Sequence, residues 1–420
     1  MNLTALLSVL SLPVSLFKTT CPTEIHATIP HQDRVFIERR SKSIHQIHSL
    51  LGKCPNITTL DLRFAFIGCI AFPERWSLPI DPAGGTKYRS AIQSLSLDGY
   101  NFDSDFKHIR LNRWEDTYDW ITSGNAWKSL KWSLIPKEQR SKTNLELWIE
   151  AMDFSQLRTL SIRRYSPLYV PGDLLAQVLS PKLQRLRSLK IEGPELRDFL
   201  LALPAGSLSS LSWIDSAQPK DQIRSVLEHH GASLTELEWR TSETLSRPLT
   251  LLPDSIVEDL KAVTPNLQSL SIDLNRDNDS WPLEKMKTVV NGMPDTLKNL
   301  SIYFEMASES RRQKDPFNWD GRYDTIENFA LPLLNSTSAR EMASFLRNHG
   351  AESLEEVNFF AGDWTQDYGE PLQMTDWLHQ RRAWMNCKMP TGDGEINCQG
   401  RDTWVPVKSM PAAYSLDGSI

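Results

Sequence analysis

One arrangement of apolar and polar positions recurs along this chain: apolar, two variable residues, apolar, one variable residue, apolar. "LRTLSI" at 157–162, "LRSLKI" at 186–191, "LQSLSI" at 267–272 and "LKNLSI" at 297–302 are near copies of one another. Further copies begin at Ile57, Ile92, Leu208, Leu234 and Leu354, with weaker ones at Leu7, Trp127 and Ile326. From Leu157 to Leu354, with Ile326 included, the starts are separated by 29, 22, 26, 33, 30, 29 and 28 residues. In a chain that is 40% apolar a single match is cheap, so it is the recurrence that carries the inference. Side chains alternate across a strand, so the hexamer predicts a short strand with its first, fourth and sixth residues inward. The fifth position holds serine at Ser96, Ser161, Ser212, Ser271 and Ser301, a small polar residue suited to a crowded exposed wall.

The spacers read as helices. "PDSIVEDLKAVTPNL" places Ile256, Val257, Leu260 and Val263 on one face, and Ser255 with Glu258 fits a capping box. "QPKDQIRSVLEHHGASL" gathers Ile223, Val226 and Leu227 and stops at Gly231. "STSAREMASFLRNHGAESL" gathers Met342, Phe345 and Leu346 and stops at Gly350. Glycine after the last turn supplies a left-handed cap at low cost. The unit is strand, turn, amphipathic helix and return, and it buries its apolar face only against further copies of itself. Residues 1–53 read as an N-terminal cap or degenerate first repeat, in which Leu7, Leu10 and Leu12 form a possible strand. The repeats occupy 54–361, broken by insertions at 64–91, 99–126 and 304–325. Residues 362–420 form a C-terminal cap whose last ~25 residues are expected to be loosely packed, as terminal polar segments often are.

This pattern resembles a leucine-rich-repeat solenoid with divergent long repeats. The resemblance implies an α/β fold with a curved parallel sheet on the concave face and helices on the convex face. One position departs from that family. The ninth residue is Asn275 in one unit but Tyr165, Pro194, Ser242 and Glu305 elsewhere, so the buried asparagine ladder is largely missing and the turns after the strands should be irregular. "SLSLDGYNFD", "NLELWIEAMDFSQLRTLSI", "PNLQSLSIDLNRDNDSWPLEKM" and "FAGDWTQDYG" look like segments of fungal F-box/leucine-rich-repeat proteins, over roughly residues 50–385 by the extent of the repeat pattern. That resemblance implies the substrate-receptor part of a cullin-type ubiquitin ligase, in which an F-box binds the adaptor and the repeats hold the substrate. No F-box is visible ahead of the repeats, so an adaptor is implied only if one is restored upstream.

Function is therefore sought on the strand residues that face outward. Arg63, Asp98, Arg163, Glu192, Arg240, Asp273 and Tyr303 each follow a sixth-position apolar residue and form the candidate partner-binding set. A mixed-charge wall with a tyrosine suits a protein partner, because arginine and tyrosine are favoured interface anchors. Edge loops from the insertions would extend that surface. Trp132, Trp213 and Trp239 occupy inward sixth positions and are expected to fill the core.

Charge and chemistry narrow the field. The net charge is −6, with no long basic block, which argues against nucleic acid as a partner. No apolar run reaches the ~20 residues of a membrane span. No HExxH, GxSxG, GxxxxGK or CxxC motif occurs, so neither catalysis nor a cofactor is expected. His45 and His48 lack a further ligand at metal spacing, and His229 and His230 read as a helix C-terminal cap. "DLNRDNDSWPLE" (273–284) has calcium-loop spacing at Asp273, Asn275, Asp277, Asp279 and Glu284, but it follows a strand instead of the required helix.

Five cysteines, an odd and sparse set, suggest a reducing compartment and a cytoplasmic or nuclear location with Cys387 and Cys398 as free thiols, whereas a disulfide between these two would fit a secreted chain. The apolar opening "MNLTALLSVLSLPVSLF" leaves a secreted recognition protein as the alternative. Against it, Asn299-Leu300-Ser301 is a glycan acceptor triplet inside a predicted buried strand. A second alternative is an enzyme whose acids or bases, such as Glu115, Asp116 or Asp119, come from an insertion loop.

Overall fold

A hexamer becomes a strand when its inward residues meet the same residues of the repeats beside it. The computed structural model describes residues 21–29, 37–64, 78–81, 85–100, 144–163, 175–193, 196–214, 220–241, 251–305, 331–361, 382–390 and 394–402. The chain divides into two compact units, Met1–Ser207 and Leu208–Ile420.

The first unit runs β1 (Glu24–Ile29), α1 (Ile37–Lys53), β2 (Thr59–Phe64), β3 (Ser94–Asp98), α2 (Asn144–Ala151), β4 (Thr159–Arg163), β5 (Ser188–Glu192) and α3 (Arg197–Ala202). A π-helical turn at Leu175–Leu179 and a 3-10 turn at Ser180–Lys182 link β4 to β5. Its strands pair in chain order, all parallel. The second unit runs β6 (Ser210–Ile214), α4 (Lys220–His230), β7 (Glu236–Arg240), α5 (Asp254–Glu258), α6 (Leu260–Val263), β8 (Ser269–Leu274), α7 (Leu283–Gly292), β9 (Asn299–Phe304), α8 (Ser336–Asn348), β10 (Glu356–Ala361), β11 (Ala383–Lys388) and β12 (Asn397–Arg401). Strands β6 to β10 are parallel neighbours in order, and β11 and β12 complete the sheet antiparallel. The fold is α/β, with a mostly parallel open sheet and repeated helices.

Register follows the hexamers. Leu60, Leu95, Leu160 and Leu189 lie opposite one another in the first unit, as do Leu237, Leu270, Leu300 and Val357 in the second. All are buried, and so are the sixth-position residues Leu62, Leu97, Ile162, Ile191, Trp239, Ile272, Ile302 and Phe359. Each such side chain contributes about 1.5–3 kcal/mol by leaving water. Trp213 and Trp239 are core residues as expected, meeting edge to face at 5.2 Å. Trp132 lies outside the described residues.

Strand entry is equally regular. The amides of Arg158 and Thr159 both donate to the Gln93 carbonyl, at 2.8 and 3.0 Å, and those of Arg187 and Ser188 both donate to Arg158. The second unit repeats the device from Thr235 to Gln268, Lys298 and Glu355.

The helices follow the spacers with local differences. Helix α8 begins at Asn335, whose side chain accepts from the Ser338 amide while Ser338 answers the Asn335 amide, and it ends at Gly350 with φ +104°. The capping box expected at Ser255 and Glu258 is not made: α5 starts after Pro253 with no side-chain cap, and the helix breaks again at Asp259. Gly231 is not a left-handed cap either. It starts a 3-10 turn, Gly231–Ser233, and a Cβ on it would stand 1.9 Å from the Val263 carbonyl oxygen. Glycine is needed there because two successive spacers bring their backbones together. His229 and His230 fall in the last turn of α4 as expected, and His230 is wholly buried there.

The cysteines correct a further expectation. Cys21 is disulfide-bonded to Cys54, tying the segment before β1 to the end of α1, and Cys387 is bonded to Cys398 across β11 and β12. Cys69 lies outside the described residues, as do Leu7, Leu10 and Leu12. Strand β12 falls in the stretch expected to pack loosely, yet Ile396 and Cys398 are buried. The 64–91 insertion is partly core: Leu78, Ile80 and Tyr88 are buried. Tyr100, at the start of the 99–126 insertion, is buried with its hydroxyl accepting from the Leu78 amide and the Trp148 indole. The rest of that insertion, with Glu115, Asp116 and Asp119, lies outside the described residues, as does 306–325.

Gly231→Ala should destabilise the protein by about 1–3 kcal/mol, the usual cost of overpacking, because the new methyl meets backbone and not a flexible side chain. Denaturant titration checks this; an unchanged midpoint would mean that the two spacers are not in contact there.

Candidate functional site

The outward face of the sheet is built from the third, fifth and seventh residues of each repeat. In the first unit the seventh positions alternate in charge: Arg63 lies opposite Asp98, and Asp98 opposite Arg163. Arg63 Nε stands 3.9 Å from the Asp98 carboxylate, and Arg163 Nε 3.7 Å from that of Glu192. Four of the predicted site residues are thus brought together as an ion ladder. Asp98 and Glu192 are largely buried within it, so these charges hold neighbouring strands and are not free anchors for a partner.

In the second unit the seventh-position row reads Ile214, Arg240, Asp273, Tyr303, Phe360 and Trp384. Arg240 and Asp273, expected on an open wall, are 3% and 2% exposed. Arg240 Nε donates to Asp273 Oδ1 at 3.4 Å, and its Nη1 donates to Glu238 Oε1 at 3.5 Å. The other Asp273 oxygen accepts from the Thr241 amide at 2.6 Å, and Ser212 donates to Glu238. Tyr303 lies over this network, its ring centre 3.2 Å from the Arg240 guanidinium carbon. Burial raises the Tyr303 pKa; Arg240 opposes the rise, and the carboxylates of Glu238 and Asp273 reinforce it. Arg240 is therefore a buried member of an ion network roofed by an aromatic ring.

From Tyr303 onward the row is aromatic. Tyr303 and Phe360 stack with ring centres 4.3 Å apart and planes 8° from parallel. Trp384, next in register, is 38% exposed. The fifth-position row alongside is polar: Ser271, Ser301, Asn358 and Asn386, the last donating to Asn358 at 2.7 Å. Sequence reasoning missed Phe360 and Trp384. Phe360 carried a usable signal, since it follows the sixth-position Phe359 of the repeat that begins at Leu354. Trp384 carried none, because it reaches the row on an antiparallel strand outside the repeat.

The other candidates resolve into structure. His48 Nδ1 shares a 2.8 Å hydrogen bond with the Tyr88 hydroxyl, while burial, and then the neighbouring His45, push its pKa down. Asp273 cannot serve a calcium loop, being committed to Arg240 and Thr241, and 277–280 form a tight turn closed by backbone bonds between Asp277 and Ser280. Glu305, at the ninth position, accepts from the Arg276 amide at 3.0 Å and so links two neighbouring repeats where an asparagine ladder would have run. Among the described residues no group of histidine, cysteine, aspartate and glutamate side chains is placed to hold a metal ion, and no helix is long and apolar enough to cross a membrane.

Neither protein-family models nor curated proteins yield a match to this chain.

Arg240→Glu should cost about 3–5 kcal/mol, because it places a third carboxylate between Asp273 and Glu238 in a buried setting. Wild-type stability in the reversed variant, read by calorimetry, would put Arg240 on the surface. A second expectation concerns pH. His26, on β1, stands 3.3 Å from both Glu24 and Asp61. Burial alone lowers its pKa, but the hydrogen bonds and charges of Asp61 and Glu24 outweigh that and raise it above 6.5. The stability this contributes is full below 6.5 and is lost as pH rises through the folded value. NMR titration should find His26 raised, and lower again in Asp61→Asn; equal values in the two proteins would break the link.

Proposed function

We propose that this chain is a non-catalytic protein-recognition scaffold of divergent leucine-rich repeats. Its partner lies across the outward face of strands β9 to β11. The observation that carries this reading is the row Tyr303, Phe360 and Trp384, which sets large aromatic side chains where the first unit has paired charges. Aromatic residues supply much of the affinity in protein interfaces, and a rigid sheet presents them with little ordering cost. The polar fifth-position row beside them offers rim hydrogen bonds. The non-catalytic part of the reading rests on the sequence, which lacks the strong catalytic and phosphate-binding motifs. Nucleic acid and membrane are not proposed as partners.

Two settings fit such a scaffold. The resemblance to F-box/leucine-rich-repeat proteins favours a substrate receptor of a ubiquitin ligase in the cytoplasm or nucleus. The disulfides Cys21–Cys54 and Cys387–Cys398 favour a recognition protein of an oxidising compartment, because reducing compartments keep such thiols free. We take the second setting as the better supported, since it rests on bonds within this chain.

Trp384→Ala should weaken the partner complex by ~2 kcal/mol, a roughly thirtyfold rise in Kd, while changing stability by about 1 kcal/mol or less. Quantitative co-purification of wild type and variant, followed by titration with the partner recovered, measures this. Undiminished binding would move the site away from the aromatic row, and turnover of a small molecule by the purified chain would end the scaffold reading.

A further inference from the structure

Four Asn-x-Ser/Thr triplets fall within the described residues: Asn56-Ile57-Thr58, Asn278-Asp279-Ser280, Asn299-Leu300-Ser301 and Asn335-Ser336-Thr337. All four asparagines are exposed, including Asn299, whose burial had been expected from its place in a strand. They differ in what surrounds them. Asn299 opens β9 and lies between Ser269 and Glu356 on the outward sheet face. Asn335 is engaged as the cap of α8. Asn56 sits between Cys54 and β2, and its Thr58 hydroxyl is bonded to the Thr23 carbonyl.

Asn278 is placed differently. It is at the tip of the turn that Asp277 and Ser280 close with two 3.0 Å backbone bonds, beyond the end of β8. Residues 277–280 are all exposed, and Asn278 has φ 53°. Among the described residues its amide side chain is held only by the neighbouring Asp277 carboxylate, at 3.3 Å. A bulky group on Asn278 Nδ2 therefore displaces nothing from the core and does not cross the strand face.

We propose that Asn278 carries an N-linked glycan. The proposal rests on the oxidising-compartment reading above, because acceptor triplets are modified in chains that follow the secretory route. The donor is a lipid-pyrophosphate-linked oligosaccharide. The Asn278 amide nitrogen forms a bond to the anomeric carbon, the bond from that carbon to the pyrophosphate oxygen breaks, the lipid pyrophosphate leaves with its electron pair, and the amide gives up one proton. The Ser280 hydroxyl completes the acceptor triplet.

The test uses the full chain purified from its native cells with free thiols alkylated, then mapped by mass spectrometry without reduction, before and after treatment with a glycan-releasing amidase. The expected result is a glycan on the peptide containing Asn278, which leaves aspartate at that position after release, together with the Cys387–Cys398 linkage. Bare Asn278 in a protein with both disulfides formed overturns the glycan and leaves the compartment reading standing. Bare Asn278 with every cysteine alkylated overturns both. Ser280→Ala should remove the glycan while keeping Asn278, whose left-handed backbone suits asparagine better than a replacement such as glutamine. A glycan that persists at residue 278 in this variant overturns the role given to Ser280.

Discussion

The pair of hydrogen bonds at the entries of β2 to β5 and of β7 to β10 sets the offset between neighbouring repeats. One carbonyl, such as that of Gln93, accepts from two successive amides of the next repeat, so the following strand has little freedom to slide. A slip of one residue would also turn every inward leucine to the opposite face. Within each unit, equal positions of the repeats are thereby aligned side by side, and much else follows from that alignment. Leu60 meets Leu95 and Leu160 because of it, and so does each residue of the exposed rows.

The same alignment constrains the outward face. Side chains at one repeat position sit next to each other along a row, so like charges there would repel directly. The first unit meets this constraint with alternation: Arg63, Asp98, Arg163 and Glu192. The second unit places Arg240 between Glu238 and Asp273 and lays Tyr303 over the group. In both units most of the charge is consumed in holding strands together. The recognition surface proposed above falls on the stretch where the row turns aromatic, next to the strands that end the sheet.

That end has its own device. A parallel array leaves its last strand unpaired, and unpaired edges invite association with other chains. Here β11 pairs antiparallel with β10, β12 pairs antiparallel with β11, and Cys387 and Cys398 join the last two. The antiparallel turn-back also brings Trp384 into line with Phe360, so the element that completes the sheet extends the aromatic row as well.

The sequence by itself determined the repeat, the inward positions and the α/β class, because the apolar period records which side of a strand faces the core. It also marked Gly350 and α8, whose signals are local. It misassigned Gly231, since the reason for glycine there is the carbonyl of Val263 in another repeat. Asp98, Glu192, Arg240 and Asp273 were read as open wall because alternation tells inward from outward but not whether an outward side chain is covered by its lateral neighbour. The Cys21–Cys54 disulfide escaped for a related reason, since only folding brings those two together, while the Cys387–Cys398 bond was set aside because a reducing compartment was expected. Tertiary structure decided the row of Tyr303, Phe360 and Trp384, since its last member arrives on a strand running the other way, where no repeat position exists to predict it.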